Sequence, residues 1–315
     1  MKFMRSKVEK KQKKQKGKQR MTIELTLLAV PVILYLFIFN YLPMCGIVLA
    51  FKEYNYIDGV FKSPWNGWKN FEFFFRSDAA WMTTFNTIFY NFSLIILGAI
   101  LNAVVALLLN EVKNKLCIKF YQTVMFFPYF LSWVVVSFIV YAYLSSAYGV
   151  LNQCMEFMGL EQQNWYQYPK AWRWILIFAG LWKTMGMSVL INYATLIGID
   201  SSYYDAAKVD GANGLQCAWY ISVPALIPIT VIQFILSMGK IFNSDFGLFY
   251  QLPRGSGILS STTSVIDTYV YEMLMGQNEI GISSAVGLFQ AAVGLVLIII
   301  TNKIVNKVQP ESALF

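Results

Sequence analysis

Six stretches of this sequence, at 25–50, 84–109, 120–144, 174–198, 218–241 and 282–303, are apolar around their whole circumference rather than along one stripe. Each is long enough to cross a hydrocarbon core, which takes about 20 residues of helix. A helix that is greasy on every side has no face to offer water, so lipid must supply part of the solvent. Hydrophobic residues make up 57% of the 315 and charged residues 13%, which leaves no stretch for a separate soluble domain. The pattern predicts an all-α, polytopic membrane protein of about six transmembrane helices. A basic tail occupies 1–22, the membrane domain 23–310 and a short C-terminal tail 311–315.

The net charge of +8 is concentrated before the first apolar stretch, where Lys2, Arg5, Lys7, Lys10, Lys11, Lys13, Lys14, Lys16, Lys18 and Arg20 face only Glu9. Beside a span, such a cluster holds the N-terminus in the cytoplasm against anionic lipid, and nucleic acid is not the expected partner. The first stretch is longer than a signal-peptide core and lacks a small-x-small cleavage pattern, so it reads as an uncleaved span. Span parity then puts the linkers near 110–119 and 199–217 inside, with the tail from Lys303. Trp, Phe and Asn crowd 56–81, and Trp165, Tyr166, Tyr168, Trp172 and Trp174 cluster before the fourth span. Both read as outer-face aromatic belts, with sugar platforms as the alternative.

The four cysteines lie far apart and the chain has no histidine, so no zinc site or disulfide framework is implied. Without histidine or paired carboxylates in the spans, an enzyme is disfavoured. No GxxxxGK[ST] loop is present, so the chain is not itself an ATPase. Pro224 and Pro228 each withdraw a backbone donor early in the fifth span and predict a bent or broken helix. Gly287, Ala291 and Gly294 share one face of the last span and admit a close helix, from this chain or another. Lys183 stands deep in the fourth stretch, where an ammonium costs about 2.5–3.5 kcal/mol. It either snorkels to the outer interface or lines a pathway.

The cytoplasmic loop 199–217 carries most information. Ser201 or Ser202 is placed to cap a short helix, Ala206 and Ala207 keep it slim, and Gly211 after Asp210 ends it. A second helix follows and runs into Pro224 and Pro228. A short, slim helix in a rigid elbow suits either a docking knob for a soluble partner or a plain re-entry loop.

Asp205, Ala206, Ala207, Asp210, Gly211, Ala212, Pro224 and Pro228 resemble, in order and spacing, the EAA signature of binding-protein-dependent ABC importer permeases, with Asp205 in place of the usual Glu. The likeness extends to Asn86-Thr87-Ile88, to 107–112 and to Phe127-Pro128-Tyr129-Phe130-Leu131-Ser132-Trp133. The stretches 265–271 and 285–289 resemble the LplB-like branch that carries oligosaccharides and polysaccharide fragments. The resemblance implies a type I importer permease fold in a multi-pass cell-membrane protein. It implies ATPase coupling through Tyr204, Asp205, Ala206, Ala207, Asp210, Gly211 and Ala212. It also implies a second homologous permease, an ATP-hydrolysing dimer that holds ATP and Mg, and an extracellular sugar-binding lipoprotein. Sugars suit aromatic faces and amide or hydroxyl groups, which singles out Trp133, Tyr141, Tyr143, Trp182, Asn192, Tyr193, Asn243 and Asp245, with Lys183, as pathway candidates. The alternative class is an ion-coupled secondary transporter of a small polar solute, which ordinarily places ionisable groups near the midplane.

Overall fold

The computed structural model describes residues 26–308, so the basic tail at 1–22 and the C-terminal tail at 311–315 lie outside the described residues. Among the described residues the regular structure is helical, and an isolated bridge joins Lys52 to Trp65. The first span, α1 (Thr26–Phe51), leads through a capping segment containing α2 (Lys69–Arg76) into α3 (Asp78–Glu111). Two helices follow, α4 (Lys115–Phe130) and α5 (Trp133–Leu144), then the short α6 (Val150–Phe157) and the span α7 (Pro169–Ile197). The loop helix α8 (Ser201–Val209) precedes the span α9 (Gly214–Met238). The short α10 (Phe246–Gln251) and α11 (Ile266–Met275) then return the chain to the last span, α12 (Ile280–Val308).

The third apolar stretch is not one straight helix. It divides at Leu131–Ser132 into α4 and α5, which meet at 101°. Leu131 and Ser132 both have extended ψ, and the Ser132 side chain accepts from Val135 N at 3.3 Å, so Ser132 starts a new helix. At 16 residues, α4 reaches only about 24 Å, short of a bilayer core of about 30 Å. The length of the apolar run concealed the break, and Ser132 is the residue that signals it.

The prolines act differently. Pro224 denies a donor to the Tyr220 carbonyl, and a widened turn at Ala218–Ser222 absorbs the mismatch. The expected bend therefore takes the form of a wide turn inside a continuous α9 rather than a break. Pro43 sits in the same relation to a widened turn at Phe37–Tyr41 in α1.

The aromatic segment after α1 is an ordered cap, as its composition suggested. The ring of Phe51 stacks on Trp65 at 5.8 Å, and Asn70 Nδ2 donates to the Ala50 and Lys52 carbonyls, both at 3.0 Å. The linker before α7 is similarly fixed by buried Asn152, which donates to Gln163 O at 2.9 Å and accepts from Trp165 Nε1 at 3.0 Å. The α10–α11 return hangs from α3. Asn86 Nδ2 donates to Ser264 O, Thr87 Oγ1 accepts from Ile266 N, and Tyr90 OH donates to Thr262 O at 2.6 Å.

The spans approach closely where side chains vanish. A Cβ on Gly294 of α12 would stand 3.1 Å from the Gly239 carbonyl, so that part of the small-residue stripe serves packing within the chain. A Cβ on Gly287 would meet no atom of another element within 4 Å. At the α4–α7 crossing, a Cβ on Gly186 would strike the Met125 carbonyl and lie 2.9 Å from Phe126 Cα. Gly186→Ala should therefore force α4 off α7 and lower membrane abundance and melting temperature, whereas Gly257→Ala, with no atom within 4 Å, should change neither. Equal melting temperatures for the two variants would refute this account of the crossing.

Candidate functional site

The loop helix α8 is closed at both ends. Asp200, not Ser201 or Ser202, is its cap, with Oδ1 accepting from Ser202 N at 2.9 Å. These hydrogen bonds hold the Asp200 carboxyl below its usual range, and its charge suits the positive end of the helix. At the other end Gly211 has φ +83°, Gly211 N donates to Lys208 O at 3.0 Å and Ala212 N to Ala207 O at 2.9 Å. Only glycine takes that conformation without strain. A reciprocal cap between Asn213 and Gln216 then starts α9.

Most of the surface of α8 and its elbow faces outward, with Val209 87% and Leu215 84% exposed. Asp205 and Lys208 approach to 3.5 Å, but both are exposed and the pair adds little rigidity. Tyr204 turns inward and is half-buried. Its hydroxyl lies 2.8 Å from Ser222 Oγ, and Ser222 is 2% exposed in the widened turn of α9.

Further along α9, a cavity of about 440 Å³ opens between α3, α7 and α9. Asn91 and Asn102 line it from α3, Thr184 and Ser188 from α7, and Thr230, Gln233 and Ser237 from α9, with Lys240 and Asn243 just beyond. Asn102 is 8% exposed and its Oδ1 has no hydrogen-bond partner. Thr230, Gln233 and Ser237 recur at three- and four-residue spacing, which puts them on one face of α9. That stripe of small and amide residues in an apolar span is the cavity's signal in the sequence.

Of the pathway candidates read from the sequence, Asn243 lines this cavity. Asn192 stands behind it, accepting from Gln233 Nε2 at 3.4 Å. Tyr193 packs among Ala106, Leu109, Val189, Leu196 and Leu226. Tyr143 and Trp182 line a separate apolar groove beside Val136 and Phe178, and Tyr141 lies under the Arg254 guanidinium at 4.3 Å.

Trp133, Lys183 and Asp245 meet at the break between α4 and α5. Lys183 Nζ donates to Tyr129 O at 3.1 Å and lies 5.1 Å from the Trp133 ring. There it supplies a donor to the last turn of α4. Asp245 Oδ2 accepts from Trp133 Nε1 at 2.7 Å, and Oδ1 accepts from Gly247 N at 3.0 Å to start α10.

Residues 95–310 match the family described as the inner membrane component of binding-protein-dependent transport systems. The chain belongs to that family. It is similar to the polygalacturonan/rhamnogalacturonan transport system permease YteP of Bacillus subtilis, with 34% identity over 91% of this chain and 89% of that one. LplB of the same organism is 32% identical over 91% and 90%. Among solved structures, a bacterial ABC transporter involved in import of the acidic polysaccharide alginate matches with TM-score 0.84 and 28% identity, covering 92% of this chain and 97% of that one. A second structure of a bacterial alginate ABC transporter, in complex with its alginate pentasaccharide-bound periplasmic protein, matches with TM-score 0.83.

The permease is thus a multi-pass membrane subunit of an ABC importer and not itself an enzyme. Its fold is that of the importer permeases, and its own third span is broken at Leu131–Ser132. Because Lys183 satisfies a carbonyl in that break, Lys183→Met should destabilise the permease by about 1–3 kcal/mol, while Lys183→Arg keeps a donor. Thermal unfolding of the purified membrane complex reads the difference, and a Met variant as stable as the parent would remove this role.

Proposed function

We propose that the permease forms half of a pore through which oligosaccharides or polysaccharide fragments enter the cell, driven by ATP hydrolysis on a partner subunit. The observation that carries the reading is the joint geometry of a rigid exposed loop helix and a polar cavity on the same α9. One relative is named for polygalacturonan and rhamnogalacturonan transport, and a structural neighbour is involved in the import of a polysaccharide. Amides and hydroxyls on three helices suit a solute rich in hydroxyls.

In this reading α8, with Tyr204, Asp205, Ala206, Ala207, Asp210, Gly211 and Ala212, docks on an ATPase dimer that binds ATP and Mg. A second homologous permease completes the pore, and an extracellular sugar-binding lipoprotein delivers the solute. The basic tail and Lys208 face the cytoplasm, while Trp65 and Trp165 face outward. A cysteine at position 208 should therefore react with an impermeant reagent only after the cells are opened, and labelling from outside would invert the topology.

Closure of the ATPase dimer draws α8 with it, and the Tyr204–Ser222 contact passes that displacement to the widened turn of α9. Transport then requires the cavity to bind its solute differently in the two states.

Gly211→Val places a β-branched residue at φ +83°, a strain of about 1–3 kcal/mol, and should misaim α8. Membrane abundance should stay near that of the parent, because insertion depends on the apolar spans. Substrate-stimulated ATPase activity and co-purification of the ATPase should both fall. Asp205→Ala should act more weakly, since an exposed carboxylate contributes about 1 kcal/mol or less. Tyr204→Phe should keep the ATPase bound yet loosen stimulation from transport. Full association and coupling in Gly211→Val would reduce the loop to an ordinary connector.

A further inference from the structure

The turn at 239–244, which follows α9, is gripped by side chains from three other helices. From α3, Asn91 Nδ2 donates to Ile241 O at 2.7 Å and lies 3.2 Å from Ser244 Oγ. From α12, the buried Gln290 donates Nε2 to Phe242 O at 2.7 Å. From α11, Asp267 Oδ2 accepts from Ser244 N at 2.7 Å. Ile241 and Phe242 are themselves buried, in a cluster with Phe74, Tyr269, Ile282 and Val286. Packing is tight as well, because a Cβ on Gly239 would stand 2.8 Å from Ile298 Cδ1 and one on Gly294 would stand 3.1 Å from the Gly239 carbonyl.

Below this collar α9 is tied less firmly. Ser237 Oγ donates within its own helix, to Gln233 O at 2.8 Å, and Gln233 Nε2 reaches Asn192 Oδ1 on α7 at 3.4 Å, a long hydrogen bond. Lower still come Pro228, Pro224 and the widened turn at Ala218–Ser222, where the hydrogen-bond ladder is interrupted. The span is thus fixed at its C-terminal end, loosely tied along the cavity and soft at its base.

We propose that this collar is the fulcrum of the transport stroke and that Gln290 is the positioning residue that fixes it. The inference rests on the transport reading above and adds which end of the cavity opens. A rigid arm turned about a fixed end moves each lining group in proportion to its distance from that end. At about 1.5 Å per residue, Ser237 lies about 5 Å from Lys240 and Thr230 about 15 Å, so Thr230 travels about three times as far. The cavity therefore widens at its Thr230 end, toward the loop helix α8, while Ser237 and Asn243 stay near α3. Gln290 suits the task because its bond to the Phe242 carbonyl is made inside apolar packing, where water does not compete. Without that donor the carbonyl is left unpaired, and a pull on α8 slides the whole arm instead of turning it.

The test uses the complete transporter with its binding protein in proteoliposomes. Spin labels are placed between α3 and α9 as two pairs at exposed positions, Leu97→Cys with Leu236→Cys near the collar and Leu108→Cys with Ile227→Cys near the base, with the native cysteines replaced. Their separations are compared by double electron–electron resonance without nucleotide and with ATP trapped by orthovanadate. Ile227 lies about 20 Å from Lys240 along the helix and Leu236 about 6 Å, so the basal pair should shift by about three times as much. Gln290→Leu should bring the two shifts together and cut oligosaccharide taken up per ATP hydrolysed by about fivefold, while the ATPase still co-purifies. Asn91→Leu frees the neighbouring carbonyl and should act in the same direction, so the collar is tested even where Gln290→Leu does not assemble. Equal shifts of the two pairs in the parent, or a larger one near the collar, overturn the fulcrum. Undiminished uptake per ATP in Gln290→Leu overturns the assignment of Gln290. A parent that hydrolyses ATP yet takes up no oligosaccharide defeats the transport reading instead.

Discussion

Hydrocarbon offers backbone amides and carbonyls nothing to bond, so every interruption of a span must be satisfied by the protein itself. The break at Leu131–Ser132 is the severest such demand, and several features answer it. Ser132 accepts from Val135 N in the first turn of α5, Lys183 meets the Tyr129 carbonyl, and Asp245 anchors Trp133. Gly186 lets the backbone of α4 press on α7, and Gly247 lets Trp133 lie against the start of α10. The helix that closes the break also builds the cavity. Lys183 turns to the break, whereas Thr184 and Ser188 of the same α7 turn to the polar space beside α3 and α9. A shift of α7 relative to α4 would therefore disturb both.

The same economy explains why asparagines within one helix have different roles. Asn86 and Asn91 lie toward the start of α3, where loops cross its face, and their amides donate to loop carbonyls. Asn102 lies deeper, beyond the reach of any loop, and keeps an acceptor unpaired beside the cavity. A buried amide oxygen without a partner costs about 1–3 kcal/mol. Such a cost is tolerable where water or a solute hydroxyl supplies the missing bond, and a polar cavity is such a place.

Fold class was legible because all-round apolarity over about 20 residues has few other meanings. The Gly211 stop was legible for a similar reason, since a left-handed helix end selects glycine strongly, and φ +83° agrees. The cap was misplaced by one residue because Asp200, Ser201 and Ser202 are all capping types, and only the backbone decides which of them stands outside the helix. The broken third span was hidden because hydropathy averages over a bend. Of the residues suited to a sugar pathway, Asn243 lines the cavity and Asn192 bonds to its lining. Aromatics such as Tyr143 and Trp182 lie in an apolar groove, and Tyr193 is buried in a core cluster. The small polar stripe on α9 is quieter in composition, yet its spacing alone sets it on one face.

The position of that stripe relative to the prolines bears on how a pull at α8 reaches the solute. Pro224 and Pro228 weaken the hydrogen-bond ladder near the base of α9, beside the widened turn that contains Ser222. Beyond Pro228 the helix has no further proline, and Thr230, Gln233 and Ser237 ride on this uninterrupted part. In the proposed coupling, a displacement delivered through Tyr204 would meet a compliant base under a stiff arm. Under that loading the arm tilts as a unit, and all its lining groups move together against those of α3 and α7. A single hydroxyl contact is adequate for this purpose, because it needs to transmit direction at a soft point rather than supply the work, which comes from the ATPase.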